Sequence, residues 1–113
     1  QNEAQALLEE RAGKWASASI AWGKVCDGRP GDLRAHRHAA QALLNANGDL
    51  RRARSYAQRA IEIDPQSIES RVLLGRIYIA AGMKLNAQRE LEAAAKLDPQ
   101  DQIVKNLLRE LKA

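Results

Sequence analysis

Phenylalanine is absent from this chain of 113 residues, and the only aromatic side chains are Trp15, Trp22, Tyr56 and Tyr78. The 45% hydrophobic fraction is mostly Ala and Leu. Both are strong helix formers, and small side chains let helices approach closely, so the composition points to an all-α protein. Cysteine is nearly absent as well. With Cys26 alone, an internal disulfide and a multi-thiolate metal site are both excluded. No apolar run approaches the roughly 20 residues of a membrane span, and no charged-then-apolar start marks a signal peptide. Residues 1–8 already read as helix and the first residue is not Met, so the expectation is a domain of a longer protein. A lone thiol and the lack of an export signal fit a cytoplasmic setting.

Catalytic constellations are also missing. No nucleophile can be matched to a base, and no phosphate loop or dinucleotide fingerprint occurs. Gly28-Arg29-Pro30-Gly31 follows no strand and reads as a turn. His36 and His38 are the only histidines. A spacing of two puts them about 200° apart around a helix, which no metal pair tolerates. Cys26 falls on an apolar stripe and reads as a small buried hydrophobe. The expectation is therefore no enzyme, no cofactor and no metal.

What the chain does have is repetition. Asp64-Pro65-Gln66 recurs as Asp98-Pro99-Gln100, 34 residues on, and the same shift aligns Gly48 with Gly82, Ala53 with Ala87, Ala60 with Ala94, Ala46 with Ala80 and Arg37 with Arg71. A third copy lies upstream: Gly13, Ala18 and Pro30 precede Gly48, Ala53 and Pro65 by 35, with the extra residue placed near Gly31–Leu33. Apolar residues at helical spacing, N-cap candidates Asp32, Ser67 and Asp101, and the breakers Gly82 and Pro99 predict seven helices. They are expected near 2–12, 14–27, 32–47, 49–63, 67–81, 83–97 and 101–112. One helix pair leaves an apolar face exposed, so pairs must stack. The last helix carries polar Lys105, Asn106, Arg109, Glu110 and Lys112 beside its apolar stripe and reads as a cap.

This pattern resembles the tetratricopeptide repeat family. Gly13, Gly48 and Gly82 stand at the turn within each pair. Ala18, Ala53 and Ala87 supply the small residue of the second helix, Trp22 and Leu91 the bulky one, and Pro30, Pro65 and Pro99 the close. Leu74-Gly75 and Tyr78 match the first helix. Departures are Gln41 at the small position of the first helix, Ala57 at the bulky one, and Arg37 and Arg71 at the early aromatic one. The resemblance implies a right-handed superhelical solenoid of antiparallel hairpins, with repeats at about 1–31, 32–66 and 67–100 and a capping helix at 101–112.

It also implies that first helices line a concave groove. On this register the groove residues are Ala35, His38, Ala42, Asn45 and Ala46, then Glu69, Val72, Arg76, Ile79 and Ala80, with Asn106 on the cap. Some family members clamp the terminal carboxylate of heat-shock chaperones with Lys and Asn in the first copy and Lys and Arg in the third. The matching positions here hold Glu3, Leu7, Glu69 and Leu73, so that clamp is not expected.

The net charge is +4, and its densest part lies in residues 28–60, where seven arginines face two aspartates. Arg34, Arg37, Arg51, Arg52, Arg54 and Arg59 form a candidate basic patch, read either as a solvated face or as a dock for an acidic partner. The functional expectation is a protein–protein interaction scaffold that takes a partner segment in its groove. The alternatives are a homo-oligomerisation module, with Leu7, Leu8 and Trp15 buried between chains, and an RNA-binding repeat. The stretch from Ala80 to Pro99 also resembles tails of bacterial proteins that join a J-type co-chaperone domain to such repeats.

Overall fold

The computed structural model describes residues 2–113. Seven α-helices follow one another: α1 (Asn2–Arg11), α2 (Trp15–Gly28), α3 (Leu33–Asn45), α4 (Leu50–Ile63), α5 (Ile68–Ala80), α6 (Lys84–Leu97) and α7 (Gln102–Lys112). Each helix packs on the next, and α3 also touches α5, so the hairpins stack into a solenoid 42 × 25 × 22 Å in extent.

The boundaries follow from local chemistry. Asp32, Ser67 and Asp101 cap their helices from outside, accepting from the backbone N–H of Ala35, Ser70 and Val104 at 3.0, 3.2 and 3.0 Å. Asp49 does the same for α4, with Arg51 N–H at 2.9 Å and Arg52 N–H at 3.3 Å. The Asp-Pro-Gln repeats end helices by a shared device. The Asp64 and Asp98 carboxylates accept from the N–H of Gln66 and Gln100, each at 3.0 Å, turning the chain before the next cap.

Small residues set the spacing between helices. Ala18, Ala53 and Ala87 are fully buried, as are Ala60 and Ala94. Bulky residues of second helices fill the space left by small ones on first helices. Trp22 lies in one cluster with Ala6, and Leu91 presses on Gly75, where a Cβ would meet its Cγ and Cδ2 at 3.0 Å. The Trp22 cluster and a second one, around Leu74, Ile77 and Tyr78, share the half-buried Tyr56. Val104 and Leu107 of α7 face inward, while Lys105, Asn106, Arg109, Glu110 and Lys112 stay in solvent.

The turns correct the repeat register. Gly13 and Gly82 adopt left-handed φ of 73° and 75°, but the residue that does so in the middle turn is Asn47 at 52°, not Gly48. The hydrogen bonds agree. Lys14, Gly48 and Met83 donate to Glu9, Leu43 and Tyr78, at 2.9, 2.9 and 2.8 Å. Gly48 is thus the counterpart of Met83, and α3 relates to α5 by 35 residues. The extra residue of the middle copy sits in the α3–α4 turn, not near Gly31–Leu33. The small first-helix position is accordingly filled by buried Ala40, the partner of Gly75, and Gln41 is no departure from the pattern.

Candidate functional site

A one-residue shift rotates a helix face by about 100°. Of the α3 residues expected in the groove, Ala35 and Ala42 therefore point inward, 1% and 0% exposed, within the Trp22 cluster. They cannot contact a ligand. The residues that face the trough from α3 are Arg37, His38 and Gln41.

The trough itself is two adjoining recesses. The larger, about 420 Å³, lies among α1, α2, α3 and α5, with Glu10, Trp15, Arg37, His38 and Leu73 on its walls. The smaller, about 160 Å³, lies among α3, α5 and α7, with Val72, Arg76, Asp101 and Ile103. Gln41, Glu69 and Leu73 line both, so the surface is continuous from α1 to α7.

Three helices are tied together on the wall of the larger recess. The Trp22 indole stacks on His38, and the same Glu10 Oε1 accepts from Trp22 Nε1 at 3.0 Å and lies 2.9 Å from His38 Nδ1. Next to this, Arg37 Nη1 pairs with Glu69 at 3.0 Å, which joins α3 to α5. Arg37 Nε is buried with no hydrogen-bond partner, so the guanidinium has an unused donor. Arg71 is held differently: it donates to Glu90 at 3.1 Å and to the Pro65 carbonyl, bracing α5 against α6 and the preceding loop.

The other expected groove residues differ in exposure and in surroundings. Glu69, Arg76 and Ile79 are exposed and Val72 is half-buried. Asn45 is exposed and accepts from Gln41 Nε2 at 2.8 Å. Asn106 is exposed on α7 and accepts from Gln102 at 2.9 Å, outside both recesses.

The six arginines do not form one patch. Arg37 belongs to the groove. Arg34 lies 4.0 Å from Glu3, and Arg59 bonds the Pro30 carbonyl and Glu62. Arg52 reaches Tyr56, whereas Arg51 and Arg54 line a separate cleft between α4 and α5. Distinct helix faces divide what is contiguous in sequence. Of the four aromatics, Trp22 is fully buried and Tyr78 is 8% exposed, while Trp15 and Tyr56 are half-buried. Leu7 and Trp15 are half-buried against the Trp22 cluster, and Leu8 is exposed.

A model of the tetratricopeptide repeat matches residues 44–111. The chain belongs to the tetratricopeptide repeat family. No curated protein matches it. Among solved structures, it is similar to the first such domain of Spaghetti (RPAP3) bound to the HSP90 peptide SRMEEVD, at 18% identity over 98% of this chain and 87% of that one, TM-score 0.89. The second such domain of human RPAP3, in complex with the HSP70 peptide SGPTIEEVD, matches at 16% identity over 99% and 92%, TM-score 0.91. The Yersinia enterocolitica type III secretion chaperone SycD, in complex with a peptide of the translocator YopD, matches at 15% over 99% and 90%, TM-score 0.87.

At the four positions that the resemblance matches to the heat-shock clamp, this tetratricopeptide repeat domain holds Glu3, Leu7, Glu69 and Leu73. Glu3 is engaged by Arg29 and Glu69 by Arg37, and Leu73 is 5% exposed. Gln41 and Arg37 are the groove residues that sequence reasoning displaced. Two N-caps 35 residues apart, Asp32 and Ser67, carried the signal that would have found them. Burial, reinforced by the Asp27 and Asp32 carboxylates, pushes the Cys26 thiol up to about 12, which keeps it a protonated core residue. Among the described residues, no group of three or more His, Cys, Asp or Glu could hold a metal ion, and no helix is long and apolar enough to cross a membrane.

Proposed function

We propose that this domain is a protein-interaction scaffold that holds an extended segment of a partner along the trough from α1 to α7. The observation that carries this reading is the pair of adjoining recesses sharing Gln41, Glu69 and Leu73. Polar and apolar contacts alternate there. Gln41, Asn45 and Arg76 can bond a peptide backbone or a carboxylate, and Val72 with Ile103 can flank an apolar side chain. Similar folds in RPAP3 and SycD bind peptides, which supports a groove mode.

The groove chemistry narrows the occupant. Glu10 and Glu69 line the larger recess against one arginine, Arg37, whose Nη1 is paired with Glu69, so a tail ending in several carboxylates would gain little there. The segment proposed is neutral or basic where it crosses α1 and α3, and it presents a hydrogen-bond acceptor to Arg76 near α7. A bacterial parent carrying a J-type co-chaperone domain is part of this reading through the Ala80–Pro99 pattern, and a cytoplasmic setting through the lone Cys26.

The test is a peptide array probed with the domain and with Gln41→Glu/Arg76→Glu. Both positions are solvent-accessible, so folding is expected to persist, checked by circular dichroism. Peptides captured by the parent domain should be lost from the double variant. Identical capture profiles would remove the groove from the function.

A further inference from the structure

The cleft between α4 and α5 is the largest of the recesses described here, about 540 Å³, shares no lining residue with the trough, and is bordered by the turns that precede α4 and follow α5. Its walls combine Leu50, Ile77, Tyr78 and Met83 with Arg51 and Arg54. The two arginines are three apart on one helix, hence on one face. Among the described residues, neither has a carboxylate within ion-pair distance; Arg52 and Arg76 share that state but do not line the cleft, whereas Arg29, Arg34, Arg37, Arg59 and Arg71 are paired. Leu50 and Met83 are half-buried at the rim, and Ile77, 1% exposed, forms the floor. Two uncompensated cations beside an apolar hollow are complementary to a carboxylate-bearing chain with one apolar side chain.

We propose that this cleft docks an acidic segment of a partner protein, with Arg51 and Arg54 receiving carboxylates and the space between Leu50 and Met83 taking an apolar side chain. The site is separate from the concave trough, so the domain has two binding surfaces of different chemistry. Nucleic acid fits less well, because Tyr78, the aromatic ring in the cleft, is 8% exposed and its hydroxyl is reached by Gln58.

The experiment titrates the full chain, labelled with nitrogen-15, with a fluorescein-tagged peptide of sequence DDLELDE. Its control is KKLKLKK. Saturable binding of the acidic peptide is expected. Amide shifts should be confined to residues 50–54 and 77–83, and affinity should fall as salt rises. Arg51→Glu/Arg54→Glu should weaken binding by at least about tenfold. Arg51→Gln/Arg54→Gln gives the same direction with a smaller perturbation, and thermal melts check that both variants fold. Arg76→Glu should leave this binding unchanged, which separates a failure here from a failure of the groove reading. The proposal is overturned by equal binding of the basic control, by binding that survives charge reversal, or by shifts along the trough instead. Preferential binding of a single-stranded oligonucleotide at the same residues would assign the cleft to nucleic acid and overturn it. A concentration-dependent dimer abolished by the arginine variants would assign it to a second copy, with the same consequence.

Discussion

The Trp22 indole lies on the His38 imidazole with ring centroids 4.5 Å apart and planes inclined by 22°, and Glu10 holds both rings by the same carboxylate oxygen. The wall of the larger recess is therefore a joint between α1, α2 and α3 rather than a free surface. Replacing Glu10 by Leu removes the acceptor of an otherwise buried indole and should cost roughly 1–2 kcal/mol. Glu10→Gln keeps an acceptor and should cost less. Urea denaturation followed by tryptophan fluorescence reads both, and equal losses would show that the hydrogen bonds contribute nothing beyond packing.

The contact of Gly75 with Leu91 predicts a conditional loss. Gly75→Ala would normally help a helix by up to about 1 kcal/mol. Here the added Cβ meets a fully buried Leu91 at 3.0 Å, so Leu91 must move within a packed core. A net destabilisation of about 1–3 kcal/mol is expected. Leu91→Val in the same chain should recover part of it, and a double-mutant cycle by thermal melts measures the coupling. Strict additivity would contradict the contact.

Asp32 makes the α3 cap pH-sensitive. The Ala35 N–H bond, followed by the Arg29 pairing, holds its carboxyl below the usual carboxylate range. A lowered folded-state value means that the stabilisation is complete above the unfolded-state value, about 3.9, and is lost as pH falls through the folded-state one. Asp32→Ala should therefore cost about 1 kcal/mol at neutral pH. The gap between parent and variant should narrow below about pH 4. A gap that stays constant to pH 2 would show that the ionised cap is not its source.

Most of the architecture was legible because its determinants are local. Helix ends are written by Asp-Pro-Gln, by N-caps and by left-handed turns, and small and bulky residues recur at matching depths. The α3 face was not legible from Gly48, because two residue types can serve the same backbone need. Asn47 takes the left-handed conformation that Gly82 takes in the next copy, so aligning glycine with glycine shifts α3 by one residue. The surroundings of the individual arginines were not legible for a related reason. Sequence proximity says little about shared faces on successive helices, and ion pairs such as Arg37 with Glu69 depend on stacking that no single repeat specifies.

That register carries its own prediction, at two adjacent residues. If α3 and α5 are related by 35, Gln41 faces the trough and Ala42 lies in the core, fully buried beside Trp22. Ala42→Gln must then force a much longer, polar side chain into close-packed alanine contacts, combining overpacking with desolvation. A loss of several kcal/mol, or failure to fold, is expected. Gln41→Ala removes only a surface hydrogen bond to Asn45 and raises helix propensity, so its stability should change by less than about 0.5 kcal/mol. Under a 34-residue register the order reverses, since Ala42 would be the solvent-facing residue. Thermal melts of the two single variants decide between them, and a tolerated Ala42→Gln beside a damaging Gln41→Ala would reinstate the other face.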